Sequence, residues 1–105
     1  MFGITTALVA GSLVASSQAA PVQNYRAAYE YALRCFVVNS AEGDEANARR
    51  AFDAAMRLGQ LQNLTNRQVN ADLDSWTATE MVRIARDRSY RAQLLGECRR
   101  IGMAA

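Results

Sequence analysis

Histidine and lysine are both missing from this chain, proline occurs once, at Pro21, and cysteine twice, at Cys35 and Cys98. Each shortage excludes something. Without His there is neither the commonest general base nor the commonest metal ligand. Without His or Lys, a Ser or Cys nucleophile has no ordinary base beside it. Two cysteines 63 residues apart are neither a Cys-x-x-Cys redox motif nor, with no His to join them, a four-ligand zinc site. The acidic residues Glu42, Asp44, Glu45, Asp72 and Asp74 lack the glycine and terminal glutamate spacing of a calcium loop. No cofactor and no metal is expected. A carboxylate hydrolase using Glu30, Asp53 or Glu80 remains formally open, but nothing selects a pair. The expectation is a protein that is not an enzyme.

Charge is also missing from one stretch. Residues 1–20, MFGITTALVAGSLVASSQAA, hold none of the 22 charged side chains. An apolar run from Phe2 to Ala15, then small residues ending in Ser17-Gln18-Ala19, has the form of a signal peptide cut after Ala19. The alternative is a retained anchor over residues 2–20, nearly long enough to span a bilayer but diluted by Gly, Ser and Thr and followed by no basic cluster. That alternative makes the chain a bitopic accessory subunit of a membrane complex. Either way the remainder is expected outside the cytoplasm, periplasmic or secreted. All 12 basic residues are Arg, and the 20 alanines beside them are the mark of a GC-rich coding sequence, pointing to a bacterial source.

Residues 20–105 form one domain, too short for two cores, and a domain of that size buries a modest fraction of its surface. An exported chain meets an oxidising environment, so Cys35 and Cys98 are expected to pair. Closing a loop of that length is worth about 4 kcal/mol in the chain-entropy account.

What is abundant favours helix. Ala, Arg, Leu, Met, Glu and Gln dominate the interior of the domain. A first helix is expected over Val22 to Val38, with Tyr25, Ala28, Tyr29, Ala32, Cys35 and Phe36 on one face and Asn39, Ser40 and Gly43 ending it. A second starts near Asp44, buries Ala48, Ala51, Phe52, Ala55 and Met56, and stops at Gly59. Residues 60–66 read as a loop. Thr65 and Gln68 form a capping box that starts a third helix, with Val69, Leu73, Trp76 and Ile84 on its buried stripe and Glu80 as the exception. Thr77 and Glu80 repeat that pattern, which raises a break near Asp74 to Thr77. A last helix follows Asp87 to Ser89, carries Tyr90, Leu94, Leu95, Cys98 and Ile101, and closes at Gly102. The fold class is thus all-α, a small bundle of four or five helices stapled by one disulfide.

Gly43-Asp44, Ala48, Phe52, Ala55 and Met56 resemble the second half of a tetratricopeptide repeat over about 14 residues. The preceding helix departs from that pattern at Phe36 and Asn39, and Thr77, Val82 and Arg86 do not repeat it one period later. Solenoids need about three repeats to bury their faces, so the likeness reads as convergent hairpin packing.

Net charge is only +2, too balanced for a nucleic-acid partner. The one basic concentration is Arg83 to Arg100, six Arg against Asp87 and Glu97. Arg83, Arg86 and Arg91, with Tyr31 beside Arg34, are the candidate contacts for a protein partner or an anionic envelope component. A membrane partner is expected only if the N-terminal segment is retained. Asn63-Leu64-Thr65 matches a glycosylation acceptor, relevant only in a eukaryotic secretory pathway.

Overall fold

The computed structural model describes residues 25–105. The signal or anchor over residues 1–19, the cut after Ala19 and the expected helix start at Val22 lie outside the described residues. Among those described there are four helices and no strand: α1 over 25–42, α2 over Glu45–Leu61, α3 over Asn66–Arg86 and α4 over Arg88–Arg100. None is long and apolar enough to cross a membrane.

Local chemistry sets the boundaries. α1, α2 and α4 all end in the same way: a residue at positive φ turns the chain, and two amides beyond the helix reach back to its last free carbonyls. After α1 the turning residue is Gly43 at φ 77°, with Asp44 N–H bonded to the Asn39 carbonyl at 2.9 Å. After α4 it is Gly102 at φ 78°, with Met103 N–H on the Cys98 carbonyl at 2.7 Å. After α2 it is Asn63 at φ 62°, with Leu64 N–H on the Gly59 carbonyl at 2.9 Å. Asn tolerates this conformation better than other residues with side chains.

Gly59 is therefore not the stop its position in the sequence suggested. It lies inside α2 and is buried, and a Cβ there would meet Val69 Cγ2 at 2.6 Å. Its role is to let α2 and α3 touch. The first helix likewise runs past Val38, because Asn39 is buried and satisfied within the fold. Its side-chain amide donates to the Cys35 carbonyl at 2.8 Å and to the Met103 carbonyl at 2.5 Å.

The starts of α2 and α3 follow expectation, while α4 begins at Arg88, two residues earlier than expected, because Asp87 itself caps it. Asp44 caps α2, accepting from Asn47 N–H at 3.2 Å, and the two bonds from Asn47 hold its carboxyl below the ordinary carboxylate range. Thr65 and Gln68 exchange both bonds of the capping box at 3.1 and 2.8 Å. α3 then continues unbroken through Asp74 to Thr77, so the count is four helices. Asp87 joins α3 to α4 alone: its N–H bonds the Arg83 carbonyl while its carboxylate caps α4 at Tyr90 N–H, 3.0 Å.

Two clusters make the core. One gathers Tyr29, Ala32 and Leu33 of α1, Ala54 and Ala55 of α2, and Val69 and Leu73 of α3. The other gathers Cys35, Val37 and Val38 of α1, Ala51 of α2, Ile84 of α3, and Leu94 and Cys98 of α4. Phe36 and Met103 touch both. Cys35 and Cys98 are bonded, with S–S 2.11 Å and Cα–Cα 5.8 Å, and both are fully buried. A buried disulfide of this kind belongs to an oxidising, non-cytoplasmic compartment.

Candidate functional site

Tyr31 and Arg34 sit three residues apart on α1 and hence on one helical face. That face is turned toward α3 and α4 rather than to open solvent. Tyr31 is half-buried and its hydroxyl donates to Glu97 of α4, 3.2 Å from Oε2. The Arg34 guanidinium lies 4.7 Å from the centre of the Trp76 ring and 5.7 Å from that of Tyr31, within cation–π range of both. Its Nε is buried and has no hydrogen-bond partner. Among the described residues Arg34 makes no ion pair.

A second stacked arginine stands close by. Arg83, in the last turn of α3, lies 3.7 Å from the ring centre of Tyr90 on α4. The Tyr90 hydroxyl donates to Glu80, which is 4% exposed and so carries its carboxylate inside the bundle. Burial, then the bond to Glu80, pushes the Tyr90 phenol up to about 12, while Arg34 and Arg83 both pull it back down. Both guanidiniums thus act on the same phenol. With Trp76, Tyr31 and Tyr90 they form one arginine–aromatic cluster joining α1, α3 and α4.

The other residues singled out from the sequence are placed differently. Arg91 is ion-paired to Glu42 at the end of α1, so its charge is already answered. Arg86 is exposed in the last turn of α3, where it complements the helix dipole, and among the described residues it is in no ion pair. Of the four candidates, Tyr31 and Arg83 belong to the arginine–aromatic cluster, Arg91 is tied to α1, and Arg86 stands apart. The carboxylates weighed for hydrolysis have separate environments. Glu30 pairs with Arg26 at 3.1 Å, Asp53 is exposed on α2, and Glu80 is held by Tyr90. No group of three or more Cys, Asp or Glu side chains among the described residues is arranged to hold a metal ion.

Comparison with known proteins adds nothing to this geometry: no family model, no curated protein and no solved structure matches the chain.

The residue that sequence reasoning undervalued is Arg34. It was legible only as the neighbour of Tyr31, because its other face is covered by Trp76, 42 positions away. Three further arginines, Arg49, Arg50 and Arg57, line a shallow depression of about 590 Å³ on α2 with Asp53. All three fall within nine residues of α2, and the helical repeat brings Arg57 onto the face of Arg49 and Arg50.

Proposed function

We propose that this protein is a periplasmic or secreted interaction module that does no chemistry of its own and docks an acidic segment of a partner protein on the arginine–aromatic cluster that holds Arg34 and Arg83. One observation carries the reading: a guanidinium within cation–π range of both Trp76 and Tyr31, with a buried, unbonded Nε and, among the described residues, no ion pair. Trp, Tyr and Arg are the residue types that dominate binding energy at protein interfaces, and here they meet in one place. A guanidinium held flat by stacking keeps its remaining N–H donors in the fork geometry that fits a carboxylate. The buried disulfide supports the compartment, since it is stable where such a partner would be met outside the cytosol.

The test uses an acidic peptide rich in glutamate and, separately, vesicles containing phosphatidylglycerol. The peptide is expected to bind, and Arg34→Gln and Arg83→Gln are each expected to weaken it about tenfold, a loss that shrinks as salt rises. Arg34→Lys keeps the charge but gives up the planar stack and should also weaken binding. Arg57→Gln, on the far side of α2, should leave it unchanged. Equal weakening by Arg57→Gln, or binding to the vesicles and not to the peptide, would overturn the proposal.

A further inference from the structure

Among the described residues Glu80 is the one acidic residue that the bundle buries, and the docking of an acidic segment leaves it without a role. We propose that Glu80 is the internal counter-ion of the arginine–aromatic cluster, and that it makes the cluster selective for the single charge of a Glu or Asp side chain over the double charge of a phosphorylated one. The inference rests on the function proposed above and names the chemistry of the acidic segment.

The helical repeat places the carboxylate. Trp76, Glu80 and Arg83 lie four and three residues apart and so share one face of α3. At 1.5 Å per residue, Glu80 is about 6 Å along the helix from Trp76 and about 4.5 Å from Arg83. Arg34 lies over the Trp76 ring and Arg83 over the Tyr90 ring, so Glu80 is rooted between the two arginine–aromatic pairs. Its charge is felt there. Behind burial, its hydrogen bond and its negative charge both raise the Tyr90 phenol, while Arg34 and Arg83 lower it. All three charges therefore act on one ring.

A carboxylate is a costly choice of buried acceptor. The oxygen of a neutral Gln would take the bond from Tyr90 equally well, whereas an ionised group removed from water has to be answered by opposite charge. Here the answer comes at a distance, because among the described residues neither Arg34 nor Arg83 is in an ion pair. Two positive charges and one negative leave one positive to be met. A side-chain carboxylate meets it. A phosphoserine brings about 1.5 to 2 negative charges, and the excess falls beside a buried anion that is tied to Tyr90 and cannot withdraw. Juxtaposed like charges are what suppress a wrong partner.

The test is a titration of the oxidised protein, followed by NMR at the Arg34 Nε–H and Trp76 indole N–H signals. The two ligands are a glutamate-rich peptide and its counterpart with phosphoserine at each glutamate. Counting charge alone makes the phosphoserine peptide the tighter ligand; the wild-type protein should instead hold the glutamate peptide no less tightly. Glu80→Gln keeps an acceptor for Tyr90 and removes the charge. It should tighten the phosphoserine peptide about tenfold and the glutamate peptide about threefold, reversing the preference. Phosphoserine favoured by the wild-type protein would overturn the inference. So would a Glu80→Gln protein, its two reporter signals in place, that gains nothing or gains equally for both peptides; either result leaves the acidic-segment reading standing. Should Glu80→Gln lose those signals, the wild-type comparison decides alone. Binding of neither peptide by the wild-type protein would overturn both readings.

Discussion

Where α2 meets α3, the helices come so close that only glycine fits at position 59, and the contact is apolar packing; beside it a single hydrogen bond, from the Tyr29 hydroxyl to Asp72 at 2.7 Å, ties α1 to α3. Where α1 meets α4 the contact is covalent, and polar bonds accompany it: Asn39 to the C-terminal turn, Tyr31 to Glu97, Arg91 to Glu42. The difference follows the order of the chain. α2 and α3 are sequence neighbours joined by a four-residue turn, so their association costs little loop entropy. α1 and α4 are the two ends of the domain, and bringing them together costs the most. The crosslink is placed where chain entropy opposes folding hardest, and the arginine–aromatic cluster lies on that fastened side.

The largest expected effect is on the fastened side. Replacing both cysteines with Ser should cost about 4 kcal/mol of unfolding free energy, read from the urea midpoint, and should lower hydrogen-exchange protection in α4 before α2. Uniform loss of protection in all four helices would mean that the two regions are not separable. Next is Gly59→Ala. The methyl group gains about 1 kcal/mol of helix propensity, but it collides with the buried, β-branched Val69, and overpacking of this kind costs about 1–3 kcal/mol. A net loss of about 1 kcal/mol is expected, recovered in part by adding Val69→Ala. Stabilisation by Gly59→Ala alone would show that the close approach is not needed.

Asn39→Ala strands the Met103 carbonyl and should cost about 1–2 kcal/mol, with faster exchange or proteolysis confined to residues 101–105. The smallest effect is alkaline. Tyr90 on the fastened side and Tyr29 on the packed side are both raised above the ordinary phenol value of 10.0, burial being the larger cause in each and the bonded carboxylate the next. Their stabilisation is complete below pH 10 and is lost as the pH rises through the folded values, near 12 for Tyr90. Absorbance at 295 nm should therefore show two late-titrating phenols, and Tyr90→Phe should remove one of them. Ordinary titration of both would deny the two tyrosine–carboxylate bonds.

Most of the fold was legible because its signals are local. The Thr65 box, the caps at Asp44 and Asp87, and the turns at Gly43 and Gly102 all depend on residues within six positions of one another. Gly59 misled because a glycine near the end of a helical stripe looks the same whether it turns the chain or makes room for a neighbour. Only Val69, on another helix, distinguishes the two. Thr77 and Glu80 carry the letters of a capping box, yet Glu80 faces inward to Tyr90, and an uninterrupted helix serves that contact better than a break. The site was half legible for the same reason. Tyr31 and Arg83 stood out by residue type, but the cation–π site of Arg34 needs Trp76, and no spacing along one helix reveals it.

Asp87 alone separates α3 from α4, ending one ladder of hydrogen bonds and beginning the next. Adding or deleting a single residue there would swing α4 by about 100° about its own axis. Cys98 would turn away from Cys35, Glu97 from Tyr31, and Tyr90 from Arg83, all in one step. Length variation is therefore forbidden at this junction, whereas the surface turn at 62–65 has solvent into which an insertion can bulge.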